Sequence, residues 1–174
     1  FEVHLGDKEA QFTQLGVLSY FESIRRECIE LTTPPAIAVL TGSIGIIPTV
    51  SKPRLEDLLG GNRLTYQSVG QLSPDDFLKV RLVGSQHDLV TAVTQLFQEG
   101  IIQVVIGTKS LLGEGWDAPC VNSLILASFV GSFMLSNQMR GRAIRVWPED
   151  PDKTSNIWHL VSINLSLKKW YEKS

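Results

Sequence analysis

Gln138, Arg142 and Arg145 stand at offsets of four and seven along one stretch of the chain. On a helix that spacing brings all three onto one face. Two guanidiniums side by side repel, so such a stripe asks for an anionic partner. Arginine suits phosphate because its planar fork grips two oxygens at once and never deprotonates. Taken alone, the spacing is matched by a solvated surface with weak ion pairs. A second polar element upstream tips the balance: Gly107-Thr108-Lys109-Ser110, running into Gly113-Glu114-Gly115-Trp116-Asp117. Thr108 and Ser110 are good helix N-caps, and the backbone N–H groups after them can hold a phosphate. Gly113 and Gly115 permit positive φ, which lets Asp117 face a nucleotide edge-on. Pro119 closes the turn. The plainer alternative for Gly113–Asp117 is a sharp turn between two strands. Trp116 reads as a packing residue beneath that turn rather than a base-stacking platform. Gly141 sits inside the arginine helix, where it costs about 1 kcal/mol relative to Ala. That is tolerable if a backbone or a ligand must come close.

The elements that position these residues follow from periodicity. Apolar groups at Phe12, Leu15, Leu18, Phe21, Ile24, Cys28 and Leu31 predict a long amphipathic helix over 9–32. Thr32, Thr33 and the Pro34-Pro35 pair stop it. Residues 36–40 (AIAVL) form a short apolar run, read as a buried parallel strand. The Gly- and Pro-rich TGSIGIIPTVSKP after it reads as an irregular connection, with Ile44–Ile47 as a possible strand extension. A short helix over 54–60 and strands over Arg63–Val69 and Val80–Val83 come next. Asp88–Gln98 is a helix with Leu89, Val93, Leu96 and Phe97 on one face and Gly100 at its end. Beyond it the spacing predicts strand Ile102–Ile106, a turn or short helix at Lys109–Leu112, and strand Ser123–Ala127. Helix 136–146, the exposed turn-rich loop 147–155 and strand Asn156–Val161 complete the pattern. Strands alternating with helices imply βαβ units and a parallel sheet with helices on its faces. The expected organisation is an N-terminal helix over 1–35 packed on one domain over 36–165, with a truncated tail over 166–174.

Composition bounds the function. A chain of 174 residues, 43% of them apolar, can bury a full core. No run of eighteen apolar residues crosses a membrane, and FEVHLGDKEAQF lacks the features of a signal peptide. A first residue other than Met hints at an excised piece or a processed start. Cys28 and Cys120 lack metal-ligand spacing and read as reduced core thiols of a cytoplasmic protein. His4, His87 and His159 share no spacing for metal or acid–base work, and His159 reads as a satisfied structural residue. A net charge of −2 excludes a protein that holds nucleic acid by bulk electrostatics, so any such contact must be local.

GTKSLLGEGWDAP, residues 107–119, resembles motif V of the superfamily 2 helicases. QMRGRAIR, residues 138–145, resembles their motif VI, Q-x-x-G-R-x-x-R. The flavour is that of the excision-repair and restriction-type branch, in which an E-G-x-D-x-P turn precedes that helix. The likeness covers residues 86–162, with AIAVLTG as a counterpart of motif IV. It implies a second RecA-like domain, a three-layer α/β/α sandwich with a mostly parallel sheet that lacks the P-loop. It further implies that Arg142 and Arg145 are arginine fingers reaching the γ-phosphate of ATP, and that Gln138 contacts that phosphate or couples it to nucleic acid. Glu114, Gly115 and Asp117 would line the nucleotide cleft, Asp117 towards the ribose or the fingers. Thr108, Lys109 and Ser110 would touch the phosphates of DNA or RNA. Arg140 faces away from the stripe.

The chain also lacks what a complete motor needs. It has no G-x-x-x-x-G-K-[ST], and Ile102 stands where the first Gly of such a loop would be. No Asp-Glu pair follows an apolar strand. ATP and Mg²⁺ are therefore expected mainly on an N-terminal RecA-like domain of the same polypeptide, and the chain alone is expected to be inactive. The competing expectation is a non-catalytic module that keeps the fold and binds nucleic acid or protein.

Overall fold

The computed structural model describes residues 5–7, 16–42, 45–113, 116–127 and 133–160. They fall in two compact units, residues 1–117 and residues 118–174.

In the first unit, helix α1 (Val17–Cys28) precedes strands β1 (Ile37–Leu40) and β2 (Gly45–Pro48). Helix α2 (Lys52–Leu59), strands β3 (Leu64–Gln67) and β4 (Phe77–Leu82), and helix α3 (Gln86–Gln98) follow. Strand β5 (Val104–Gly107) and the short helix α4 (Lys109–Gly113) end the unit's described elements. The five strands lie in the order β3-β4-β2-β1-β5. Strand alternation sorts β1 cleanly between the two faces. Ile37 and Val39 join Phe21 of α1, Ile46, Val69 and Leu72 in one buried cluster. Ala38 and Leu40 join Leu55 of α2 and Leu89, Val93 and Leu96 of α3 in the other. The Phe21 and Phe77 rings meet edge to face at 5.2 Å, fixing α1 against β4. Ser85 caps α3 by accepting the His87 N–H at 3.2 Å, so this helix starts two residues before the periodicity predicted.

The expectation of a mostly parallel RecA-like sandwich is wrong. Within the five-stranded sheet only β1 and β5 pair in parallel, with Ile37 opposite Val104 and Leu40 opposite Gly107. β1–β2, β2–β4 and β3–β4 are all antiparallel. The physical reason lies in the stretch read as an irregular connection. GIIP is a fully buried strand, and the few residues between Leu40 and Gly45 cannot make the crossover that parallel pairing requires. The chain therefore reverses on itself. Gly45 is admitted at the crowded start of β2 because a Cβ there would lie 3.0 Å from Val80 and 3.1 Å from Leu89. Pro48 closes the strand, where its missing N–H does least harm.

α1 is also shorter than the predicted 9–32. Its described part ends at Cys28, before the Thr and Pro residues expected to stop it, and residues 8–15 lie outside the described ones. Leu31, expected on the apolar stripe, is 53% exposed. Cys28 and Cys120 are free and half-buried, not core thiols.

In the second unit, strands β6 (Ser123–Leu126) and β7 (Asn156–His159) pair in parallel, with helix α5 (Phe133–Ala143) between them in sequence. α5 packs on both strands, so this unit has the strand–helix–strand form that the periodicity predicts. Ile125 and Trp158 are paired neighbours and stay exposed. Among the described residues no helix is long and apolar enough to cross a membrane.

Candidate functional site

The chain leaves β5 and turns at once into α4. Thr108 N–H donates to Leu40 O at 3.3 Å, which extends the parallel ladder by one residue. Its own carbonyl then accepts from Leu111 N–H at 3.1 Å and Leu112 N–H at 3.0 Å. The Thr108 and Ser110 hydroxyls face each other at 3.3 Å. Thr108 is half-buried, while Lys109 and Ser110 are exposed. Three hydrogen-bonding side chains thus gather at the carboxyl end of a strand, the end at which ligands of α/β sheets bind. The turn is tight enough to demand Gly107. A Cβ there would lie 2.4 Å from Leu112 Cδ1 and 3.2 Å from Leu40 O.

Trp116 packs against the larger core cluster, and its indole N–H donates to Thr94 Oγ1 at 2.8 Å. The Thr94 hydroxyl in turn donates to Val90 O at 2.7 Å, one turn back in α3. Trp116 is therefore pinned to α3 immediately before Asp117, which is exposed. This agrees with Trp116 as a packing residue. Thr94 escaped the sequence reading, because a threonine on the buried side of a helix carries no signal of its partner. Glu114 and Gly115 lie outside the described residues.

In the second unit α5 carries Gln138, exposed, and Arg142, half-buried, one turn apart. The predicted helix over 136–146 is displaced. α5 ends at Ala143, so Arg145 lies beyond it and the three residues are not one helical stripe. Turn-like bonds close the helix, from Ile144 N–H to Arg140 O at 3.2 Å and from Arg145 N–H to Arg142 O at 3.3 Å. Arg145 is exposed at this closing turn. Cationic Arg140 and Arg142 occupy the last turn of α5, where the helix dipole favours positive charge. A Cβ on Gly141 would meet nothing within 4 Å among the described residues, none of which calls for that glycine.

Arg140 Nη2 lies 2.9 Å from His159 Nε2 on β7. A guanidinium only donates, so Nε2 accepts and the imidazole proton sits on Nδ1. His159 is thus partnered, as expected, but at the surface. The loop read as merely exposed contributes more than its composition suggested. Lys153 Nζ donates to Pro119 O at 2.6 Å, Val121 O at 2.8 Å and Ala143 O at 2.9 Å. Ser155 Oγ also donates to Ala143 O. Burial pushes the nearby Cys120 thiol up, against a smaller opposing pull from Lys153.

Chemically, Thr108, Lys109, Ser110, Gln138, Arg142 and Arg145 offer hydrogen-bond donors suited to an anion. No group of three or more His, Cys, Asp or Glu gathers to hold a metal ion among the described residues. Against protein-family models, curated proteins and solved structures, the chain finds no match.

Proposed function

We propose that this chain is the arginine-bearing half of an ATP-driven nucleic-acid helicase or translocase. It works on ATP and Mg²⁺ held by a partner domain of the same polypeptide. One observation carries the reading. Gln138 and Arg142 stand one turn apart on a helix held by two parallel strands, and Arg145 is exposed at that helix's closing turn. The mixed main sheet lends it no support, so the reading rests on the local motifs. Arg142 and Arg145 clamp the γ-phosphate, and Gln138 senses it. Thr108, Lys109 and Ser110 hold the nucleic-acid backbone through two hydroxyls and one ammonium. Closure over ATP and release after hydrolysis then alternate the grip on the strand, a two-state motion biased by the γ-phosphate.

The test uses the complete polypeptide and measures ATP hydrolysis with and without single-stranded DNA, duplex DNA and RNA. Stimulation by any of them is expected. A T108A/K109A/S110A variant should lose most of that stimulation while keeping basal hydrolysis. Equal stimulation in wild type and variant would remove these three residues from the track. Absence of hydrolysis throughout would favour a binding module without a motor, a second reading supported by the exposed Ile125–Trp158 pair.

A further inference from the structure

The Lys153 ammonium has three N–H bonds, and all three end on main-chain carbonyls: Pro119 at 2.6 Å, Val121 at 2.8 Å and Ala143 at 2.9 Å. The five ion pairs among the described residues leave Lys153 out, so its neutralising surroundings are oxygen dipoles rather than a carboxylate. Such a cage of converging carbonyls is how proteins hold a bare monovalent cation. Its parts come from two places. Pro119 and Val121 belong to the turn that enters β6, closed by the Val121 N–H to Ala118 O bond at 3.1 Å. Ala143 is the last residue of α5, whose carbonyl has no partner further along the helix. Ser155 adds a hydroxyl to that same carbonyl.

We propose that Lys153 is a tethered cation that positions the arginine end of α5. It fastens Ala143, two residues before Arg145, to the turn before β6, and Ser155 assists. The functional consequence rests on the arginine reading given above, whereas the cage itself does not. Without the ammonium, three carbonyl oxygens point at one another around an empty centre. The end of α5 then loosens and Arg145 loses its fixed origin. A free cation of the right size should restore what the missing side chain held. A guanidinium should not, because its planar fork is too broad for a site built around a point charge.

The first measurement needs no activity. In wild-type protein, NMR of the lysine ammonium groups should show Lys153 protons slowed in exchange and coupled through hydrogen bonds to the three carbonyls. A freely exchanging Lys153 ammonium would overturn the cage. In Lys153→Met, amides of Val121, Ile144 and Arg145 should exchange at least about tenfold faster, the scale of one or two lost buried hydrogen bonds. Amides of α3 should not change, and added potassium or methylammonium should bring protection back. Faster exchange that neither cation reverses, in Met and Arg variants alike, would make Lys153 ordinary packing and overturn the proposal. If the complete polypeptide hydrolyses ATP, Lys153→Met should lower kcat about a hundredfold, as a misplaced reacting group does. KM for ATP should hold, and methylammonium should recover the rate. An unchanged kcat in Lys153→Met, where wild type shows the cage signals, would overturn the positioning of Arg145 by the cage. Absence of hydrolysis in wild type would sink the motor reading and leave the cage standing on its own data.

Discussion

Glu22 shows how a single residue sets the acid limit of this fold. Its side chain is fully buried in α1; Arg25 donates to both oxygens at 2.8 Å and Arg26 to Oε1 at 2.9 Å. Burial pushes the carboxyl up, but the hydrogen bonds and charges of Arg25 and Arg26 outweigh it and hold it below its usual 4.5. A depressed carboxylate contributes stability that is fully present above its unfolded pKa and drains away as pH falls through the folded one. Glu22→Gln should therefore destabilise the protein by about 3 kcal/mol near neutrality, the low end for a broken buried pair because both guanidiniums reach solvent. Denaturant titrations from neutral to acid pH check this. The gap between wild type and variant should close below the usual carboxylate range, and a pH-independent gap would contradict the assignment. Glu99 is also held down, to about 2, by hydrogen bonds from Arg54 and Gln95. Both side chains reach solvent, so the Arg54–Glu99 pair should weaken with salt and contribute little.

At the scale of elements, the junction of β5 and α4 is where a small change should be felt most. Gly107→Ala places a methyl 2.4 Å from Leu112 Cδ1 and 2.6 Å from its Cγ. Relief must come from Leu112 or from α4 itself, at a cost of about 1–3 kcal/mol. Leu112→Ala opens that space, so the double variant should be less destabilised than the two single changes added together. Thermal unfolding of the four proteins gives the coupling, and strict additivity would contradict the contact. Thr94→Val removes the acceptor of the Trp116 indole and should cost about 1 kcal/mol, seen also as a shift in tryptophan emission. These junctions were only partly legible in the sequence. The apolar runs at 36–40 and 102–106 and the periodicity of 88–98 carry enough local signal to place β1, β5 and α3. GIIP carries the opposite local signal, and its burial between β1 and β4 overrides it. Strand direction is not written in any one segment. It follows from the length of the links and from which neighbour each strand meets. The α5 boundary slipped for a related reason. Ala143 ends the helix where Lys153 and Ser155 take its carbonyl, ten and twelve residues further along the chain.

At the scale of the whole molecule, a net charge of −2 leaves no general attraction for a polyanion. Any grip on nucleic acid must be local, and the donors at the end of β5 are the ones proposed for it. With Lys109 as the one cation among Thr108, Lys109 and Ser110, the dependence of binding on salt attributable to this element should be shallow. A slope of roughly −1 in log affinity against log salt is expected. Comparing wild type with Lys109→Ala over a salt series measures that share, and an unchanged slope would place the contact elsewhere. The candidate residues were legible as types and spacings. The Arg142–Arg145 relation was not, because it depends on where α5 stops. The proposed activity rests above all on Arg145. The most direct measurement is ATP hydrolysis by the complete polypeptide with nucleic acid present, wild type beside Arg145→Ala, with folding of both checked by circular dichroism. The account predicts a nucleic-acid-stimulated rate in wild type and a loss of about a thousandfold in the variant, the scale of an arginine finger. A folded Arg145→Ala protein that hydrolyses ATP at the wild-type rate would contradict it.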